Sequence, residues 1–154
     1  MSFEEKLGLL GITIPAAPTP VAAYIPAVLS GSFVYTSGQL PIVDGKLKFA
    51  GKLDRDLTTE EGYQAARLCA INCLAAIKGV LGSLDNISRV VKVTGFVNSL
   101  AGFNRQPQVV NGASEFLCEV FGELGKHARS AVGVSELPLD AAVEVELIIE
   151  AKQF

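Results

Sequence analysis

Thr58-Thr59-Glu60-Glu61 opens the one segment whose fold is dictated almost residue by residue. Thr58 is placed to cap a helix and Glu61, three residues on, to bond back to it, which is a capping box. Apolar residues then recur at Ala66, Cys69, Ala70, Cys73, Ile77, Val80 and Leu81. That is the 3.6-residue period of an amphipathic helix, and Gly82 suits its end. A helix over about Thr59–Leu81 needs an apolar layer to pack on, so the flanking segments decide the fold.

Those segments are mostly β-leaning. Ala22–Leu29 and Phe33–Ser37 are apolar runs joined by Ser30-Gly31-Ser32, a hairpin signature. Asp44-Gly45 offers a second tight turn, with Lys46–Ala50 as a short edge strand. Ile87–Val97 is rich in β-branched residues and long enough for a central strand. A second helix is expected from about Pro107 to Leu124, with Val109, Ala113, Phe116, Val120 and Leu124 on one face and Gly125 as its cap. Arg129–Val134 and Ala141–Ala151 read as a closing hairpin joined through Glu136-Leu137-Pro138-Leu139-Asp140. Residues 2–10 form a short amphipathic helix, and Pro15, Pro18 and Pro20 hold the chain after it extended. The expected product is a single α+β domain over 1–154: a mixed sheet with two long helices on one face, and residues 1–20 as an N-terminal extension.

Composition narrows what such a domain does. Hydrophobic residues make up 49% of the 154 and charged residues 19%. A sheet with helices on one side only leaves an apolar face open, and both facts point to self-association. The net charge is -3, with no basic stripe for nucleic acid. No apolar run approaches the ~18 residues needed to cross a bilayer, and acidic residues precede the first apolar stretch, unlike a secretory signal. A cytoplasmic location is the expectation. Cys69, Cys73 and Cys118 read as buried, reduced thiols. Cys69 and Cys73 lie four apart, but with His127 the sole histidine no second ligand pair follows them, so no metal is expected.

Fixed positive charge, carboxylates and that histidine come together near the C-terminus. Alternation places Arg129, Ala131 and Gly133 on one strand face, and Ala142, Glu144, Glu146 and Ile148 on one face of the last strand. A hairpin around Leu137-Pro138 would bring Arg129 close to Glu144 or Glu146; spacing alone does not choose between them. Such a pair is either a solvated cross-strand ion pair or a site in which Arg129 clamps a carboxylate or phosphate while a glutamate moves a proton. His127, two residues before Arg129, is a hydrogen-bonding residue or a proton carrier at the cleft.

Ser37-Gly38-Gln39-Leu40-Pro41, Gly95-Phe96-Val97 and Ala128-Arg129-Ser130…Leu137-Pro138…Val143-Glu144-Val145-Glu146 together resemble the Rid, or YjgF-like, family of enamine/imine deaminases, some of whose members are also called endoribonucleases. The resemblance covers roughly Ala22 to Ala151. It implies a chorismate-mutase-like protomer, a homotrimer built around a central barrel, and ligand clefts between subunits, with no cofactor. It implies that Arg129 holds a substrate carboxylate and that Glu144, rather than Glu146, orients the hydrolytic water. Tyr24, Ser37, Gly38 and Asn111 would line the cleft. The position two after Arg129, often cysteine in well-known deaminases, is Ala131. The loops 44–58 and 98–107 are longer than in compact members, and the N-terminal helix is extra. These departures mark a divergent branch.

Three functions follow as expectations: hydrolytic deamination of small 2-imino acids, a carboxylate-binding module or holdase without turnover, and an endoribonuclease. The acidic charge and single histidine speak against the last.

Overall fold

In the computed structural model, which describes residues 1–153 except Val21, the capping box forms as the sequence requires. The Glu61 amide donates to the Thr58 hydroxyl at 3.2 Å, the Thr58 amide donates to Glu61 at 3.2 Å, and helix α2 spans Thr59–Leu81. It ends at Gly82, whose φ of 78° is the left-handed stop that favours glycine. A second capping box, Ser2 with Glu5, starts α1 (Phe3–Leu9). Helix α3 (Gln106–Phe121) carries Pro107 in its first turn. It stops sooner than expected: Gly122, at φ 61°, breaks it, and Gly122–Gly125 form a 3-10 turn that leaves Leu124 exposed.

The strands are β1 (Ala27–Ser30), β2 (Phe33–Thr36), β3 (Ile42–Val43), β4 (Lys46–Leu47), β5 (Ile87–Asn98), β6 (Ala128–Val134) and β7 (Val143–Ala151). β1 and β2 form the predicted hairpin, with Ala27 opposite Thr36. The first strand starts at Ala27 rather than Ala22, because Pro26 cannot donate to a ladder and residues 22–26 bend away. β3 and β4 turn at Asp44-Gly45, both at positive φ, as a separate ribbon. The edge strand expected over Lys46–Ala50 is thus only two residues long.

The five-stranded sheet has the order β1-β2-β7-β5-β6. This overturns the closing hairpin. β6 pairs parallel to β5, and β7 pairs antiparallel to β5 on its other side. Two physical causes act together. α3 carries the chain over one face, so β5, α3 and β6 make a crossover unit whose strands run parallel. The segment after β6 is also no tight turn. Leu139 and Asp140 both sit at φ 58°, and the Gly51 amide donates to the Asp140 carbonyl at 2.8 Å. The Ala142 amide donates to the Phe49 carbonyl at 3.0 Å, so the chain is led across the end of β5 into the gap beside β2.

Both long helices pack on one sheet face. Val93, Val97, Val145, Leu147 and Ile149 are buried beneath Cys73, Ile77, Val110, Ala113 and Phe116. The helices approach each other closely at Gly112, where a Cβ would stand 1.9 Å from the Tyr63 carbonyl oxygen. Cys69 and Cys73 are buried and turn their thiols to the Val143 and Val145 carbonyls, whereas Cys118 is only half-buried, contrary to expectation. By length and composition α2 could cross a membrane, although no such run stands out from the charge pattern; half of its apolar window is buried inside this fold. The long loops are tied by Lys52, which donates to the buried Asn98 at 2.8 Å and to the Ser135 carbonyl, and pairs with Glu136 at 3.4 Å.

The opposite sheet face has no helix on it among the described residues. Val28, Phe33, Tyr35 and Val132 stand there exposed, beside Glu144, Glu146 and Ile148 at the alternate positions of β7.

Candidate active site

Arg129 lies opposite Val93 and shares the helix-covered face with it. From the edge strand β6 its side chain reaches α3. Nη1 donates to Asn111 Oδ1 at 2.8 Å and to Ser114 Oγ at 3.2 Å. Asn111 and Ser114 stand three apart on the helix, so both present to the same strand. Ser114 Oγ is also 2.8 Å from His127 Nε2, and His127 Nδ1 is 2.6 Å from the Gly125 carbonyl. Burial lowers the His127 imidazole from its ordinary value; the Gly125 carbonyl opposes this and the Arg129 charge reinforces it. The Nε and Nη2 positions of Arg129 make no hydrogen bond to a described residue, so one edge of the guanidinium fork is open. Ala131, half-buried and packed toward the core, adds no bulk beside it.

Glu144 belongs to a different surface. It pairs with Phe96, and Glu146 with Thr94. Phe96 and Thr94 alternate with Val93, so both carboxylates project from the open face while Arg129 projects from the covered one. β5 also separates the two strands, by about 10 Å between β6 and β7. The close approach of Arg129 to Glu144 or Glu146 within one chain is therefore absent. Glu144 is half-buried, and burial, with Glu146 second, raises its carboxyl above the usual value.

One strand-end residue, Gly38, lies against Glu144. Gln39 bridges to Val145, its amide donating to the Val145 carbonyl at 2.8 Å, which brings Gly38 against the carboxylate. A Cβ at position 38 would lie 2.6 Å from Glu144 Oε1, so glycine there lets the carboxylate keep this position. Ser37 Oγ donates to the Ile25 carbonyl at 2.6 Å and fixes the bend that carries Tyr24, which is 60% exposed and thus free to meet a ligand. Tyr24 and Gly38 also line a cavity of about 820 Å³ that runs under the proline-rich segment to Leu68 and Ile71 of α2.

The predicted residues thus fall into two half-sites. Arg129, Asn111, His127 and Ala131 form one on the covered side of the β6 edge. Glu144, Gly38 and Ser37 form the other on the open side, while Tyr24 lines the cavity that runs to α2. Ser114 was missed by sequence reasoning, although its position one helical turn after Asn111 puts it on the same stripe.

Comparison with known proteins points to one family for the whole chain. Residues 4–151 fit the family model described as "YjgF/chorismate_mutase-like, putative endoribonuclease". Protein TCP17 of Trypanosoma cruzi is 47% identical over 146 residues, covering 94% of this chain and 91% of that protein. A 2-iminobutanoate/2-iminopropanoate deaminase of Dermatophagoides farinae is 33% identical over 138 residues, 90% of this chain and 93% of that one. The crystal structure of protein Atu1372 from Agrobacterium tumefaciens, of unknown function, superposes with a TM-score of 0.91 at 44% identity, over 97% of this chain and 92% of that chain. With the fold and nearly the whole length in agreement, the chain belongs to the YjgF family.

Proposed function

We propose that this protein hydrolyses small 2-imino acids, formed from their enamines, to 2-keto acids and ammonia. The observation that carries the reading is Arg129: a guanidinium held on one side by Asn111 and Ser114, with its other edge open, on the rim of the sheet. That is the geometry of a bidentate carboxylate grip. The deaminase name of one relative supports the same chemistry.

In this reading the cleft forms between two copies of the chain. One copy brings Arg129 and Asn111, and a neighbour brings Glu144, Gly38, Ser37 and Tyr24. Because the two half-sites face opposite ways, one chain does not complete the site. The apolar open face, with Val28, Tyr35 and Val132, is the surface such packing would cover, and a homotrimer around a central barrel is the arrangement we favour.

The chemistry follows from these groups. Arg129 holds the carboxylate and so places the C=N carbon. Glu144, with its raised carboxyl, accepts a proton from water as the oxygen adds to that carbon. Starting from the protonated imine, this gives a carbinolamine; Glu144 passes its proton to the nitrogen, and as the C–N bond breaks the hydroxyl gives its own proton to the freed carboxylate, so that ammonia leaves and the C=O of the 2-keto acid forms. Imines already hydrolyse in water, so positioning and proton transfer suffice.

The test is ammonia release from freshly generated 2-iminobutanoate. The wild type should accelerate it and Arg129→Ala should not; equal rates would overturn the assignment. Labelled RNA incubated with the same preparations should stay intact.

A further inference from the structure

The two hydrogens on Arg129 Nη1 are both committed, one to Asn111 Oδ1 and one to Ser114 Oγ. A serine hydroxyl has one proton of its own. With Oγ accepting from the arginine, that proton is directed to His127 Nε2, 2.8 Å away. Nε2 must then be bare, and Nδ1 carries the hydrogen donated to the Gly125 carbonyl at 2.6 Å. Each hydrogen has a single destination, so the chain from Arg129 through Ser114 and His127 to Gly125 runs in one direction. The tautomer follows from the partners on both sides of the ring.

One hydrogen bond to Nη1 tethers a guanidinium but leaves its plane free to swing. Two acceptors on the same nitrogen define that plane, because both N–H bonds lie in it. Asn111 supplies the first acceptor. The second is a serine whose hydroxyl could rotate away, were its proton not held by the histidine.

We propose that Ser114 and His127 are positioning residues for Arg129, forming a second arm beside Asn111 that fixes the plane of the guanidinium and turns its free Nε–Nη2 edge toward the carboxylate of a 2-imino or 2-keto acid. The consequence for binding rests on the reading of Arg129 given above; the direction of the arm does not. A merely structural latch between α3 and the start of β6 would use the same atoms but would not govern the arginine.

The sole histidine makes the test direct. Two-bond nitrogen–proton spectra of labelled wild-type protein at alkaline pH should show the Nδ1–H tautomer for the one imidazole. An Nε2–H tautomer overturns the arm whether or not the protein is a deaminase. Calorimetry with 2-ketobutyrate then reads the arginine. Ser114→Ala should weaken binding about tenfold, as expected for one hydrogen bond to a charged group, and Ser114→Thr should retain it within about twofold.

Histidine variants separate the two ring nitrogens. His127→Gln can reach Ser114 and should bind like wild type. His127→Asn can keep the Gly125 bond but not the Ser114 bond, and should be weakened like Ser114→Ala. The double variant Ser114→Ala/His127→Asn should bind no worse than Ser114→Ala alone, since both remove one arm. Losses that multiply, or losses of thermal stability with unchanged affinity, overturn the proposal. Wild-type protein that binds no 2-ketobutyrate refutes the catalytic reading, and with it the proposed role at the arginine; the spectra still decide the direction of the hydrogen bonds.

Discussion

Arg129 and Glu144 are the two charged residues on which the chemistry is argued, and they are held in opposite ways. Arg129 is fixed by two helix side chains, one of them braced by a histidine. Glu144 makes no hydrogen bond to a described side chain; it is shaped by a gap, the missing side chain of Gly38, and by half-burial that raises its carboxyl. The difference teaches a division of labour. A cation that must present a planar fork needs its orientation set before the ligand arrives. A carboxylate that must give and take a proton needs a tuned environment and some freedom to move.

The sharpest way to break this contrast is to remove each group and measure binding and turnover separately. Arg129→Ala should weaken 2-ketobutyrate binding by about a hundredfold, the loss of two charge-assisted bonds. Glu144→Gln should lower turnover about a hundredfold, with binding changed by no more than about twofold. If both variants lose binding equally, the two residues do not have distinct roles.

Mixing the two inactive variants under conditions that exchange subunits is next in size. If each cleft takes its arginine from one copy and its glutamate from another, roughly a quarter of randomly mixed sites regain both groups, and activity returns from near zero. No recovery, in samples shown by mass to have exchanged, would confine the site to one chain. Gly38→Ala should cost about tenfold in turnover by pushing the Glu144 carboxylate aside, while the melting temperature stays near wild type.

The smallest effects are in the pH dependence of stability. A carboxyl raised by folding, such as Glu144, makes the ionised fold costlier above its folded pKa, and that cost disappears below the unfolded value. Glu144→Gln should therefore melt about 1–2 °C higher than wild type near neutral pH and equal to it under acid. An imidazole lowered by burial contributes stability above its unfolded value of about 6.5 that is lost as pH falls through the folded one. His127→Gln should lose less stability than wild type on acidification across that range. Melting curves at several pH values read both, and the opposite signs would put the burial on the wrong residues.

The sequence made local structure legible and strand partnership much less so. α2 matches its expected limits because a capping box, a 3.6 period and a terminal glycine all report on the same few turns. The β1–β2 turn is equally local. The pairing of β6 with β5 rather than β7 is not, since it depends on contacts remote in sequence. Adjacency in the chain suggested a hairpin, yet the β5–α3–β6 order already contained the contrary signal, because a helix between two strands favours parallel pairing. That single misplacement produced the expectation of an Arg129–glutamate pair within one chain. The alternation of each strand was read correctly. What alternation could not supply was which face of β6 and which face of β7 point the same way.

Gly112 stands between Asn111 and Ser114 on α3, and its back presses on the Tyr63 carbonyl. With a methyl there at 1.9 Å, the helix could not keep its seat. Lifting α3 by even one ångström would carry Asn111 and Ser114 out of reach of an arginine they now hold at 2.8 and 3.2 Å. The contact between the two long helices thus acts as a gauge stop for the arm on the far side. A residue that touches no ligand sets the tolerance of one that does, and a change far from any cleft would be read out first as a loss of grip.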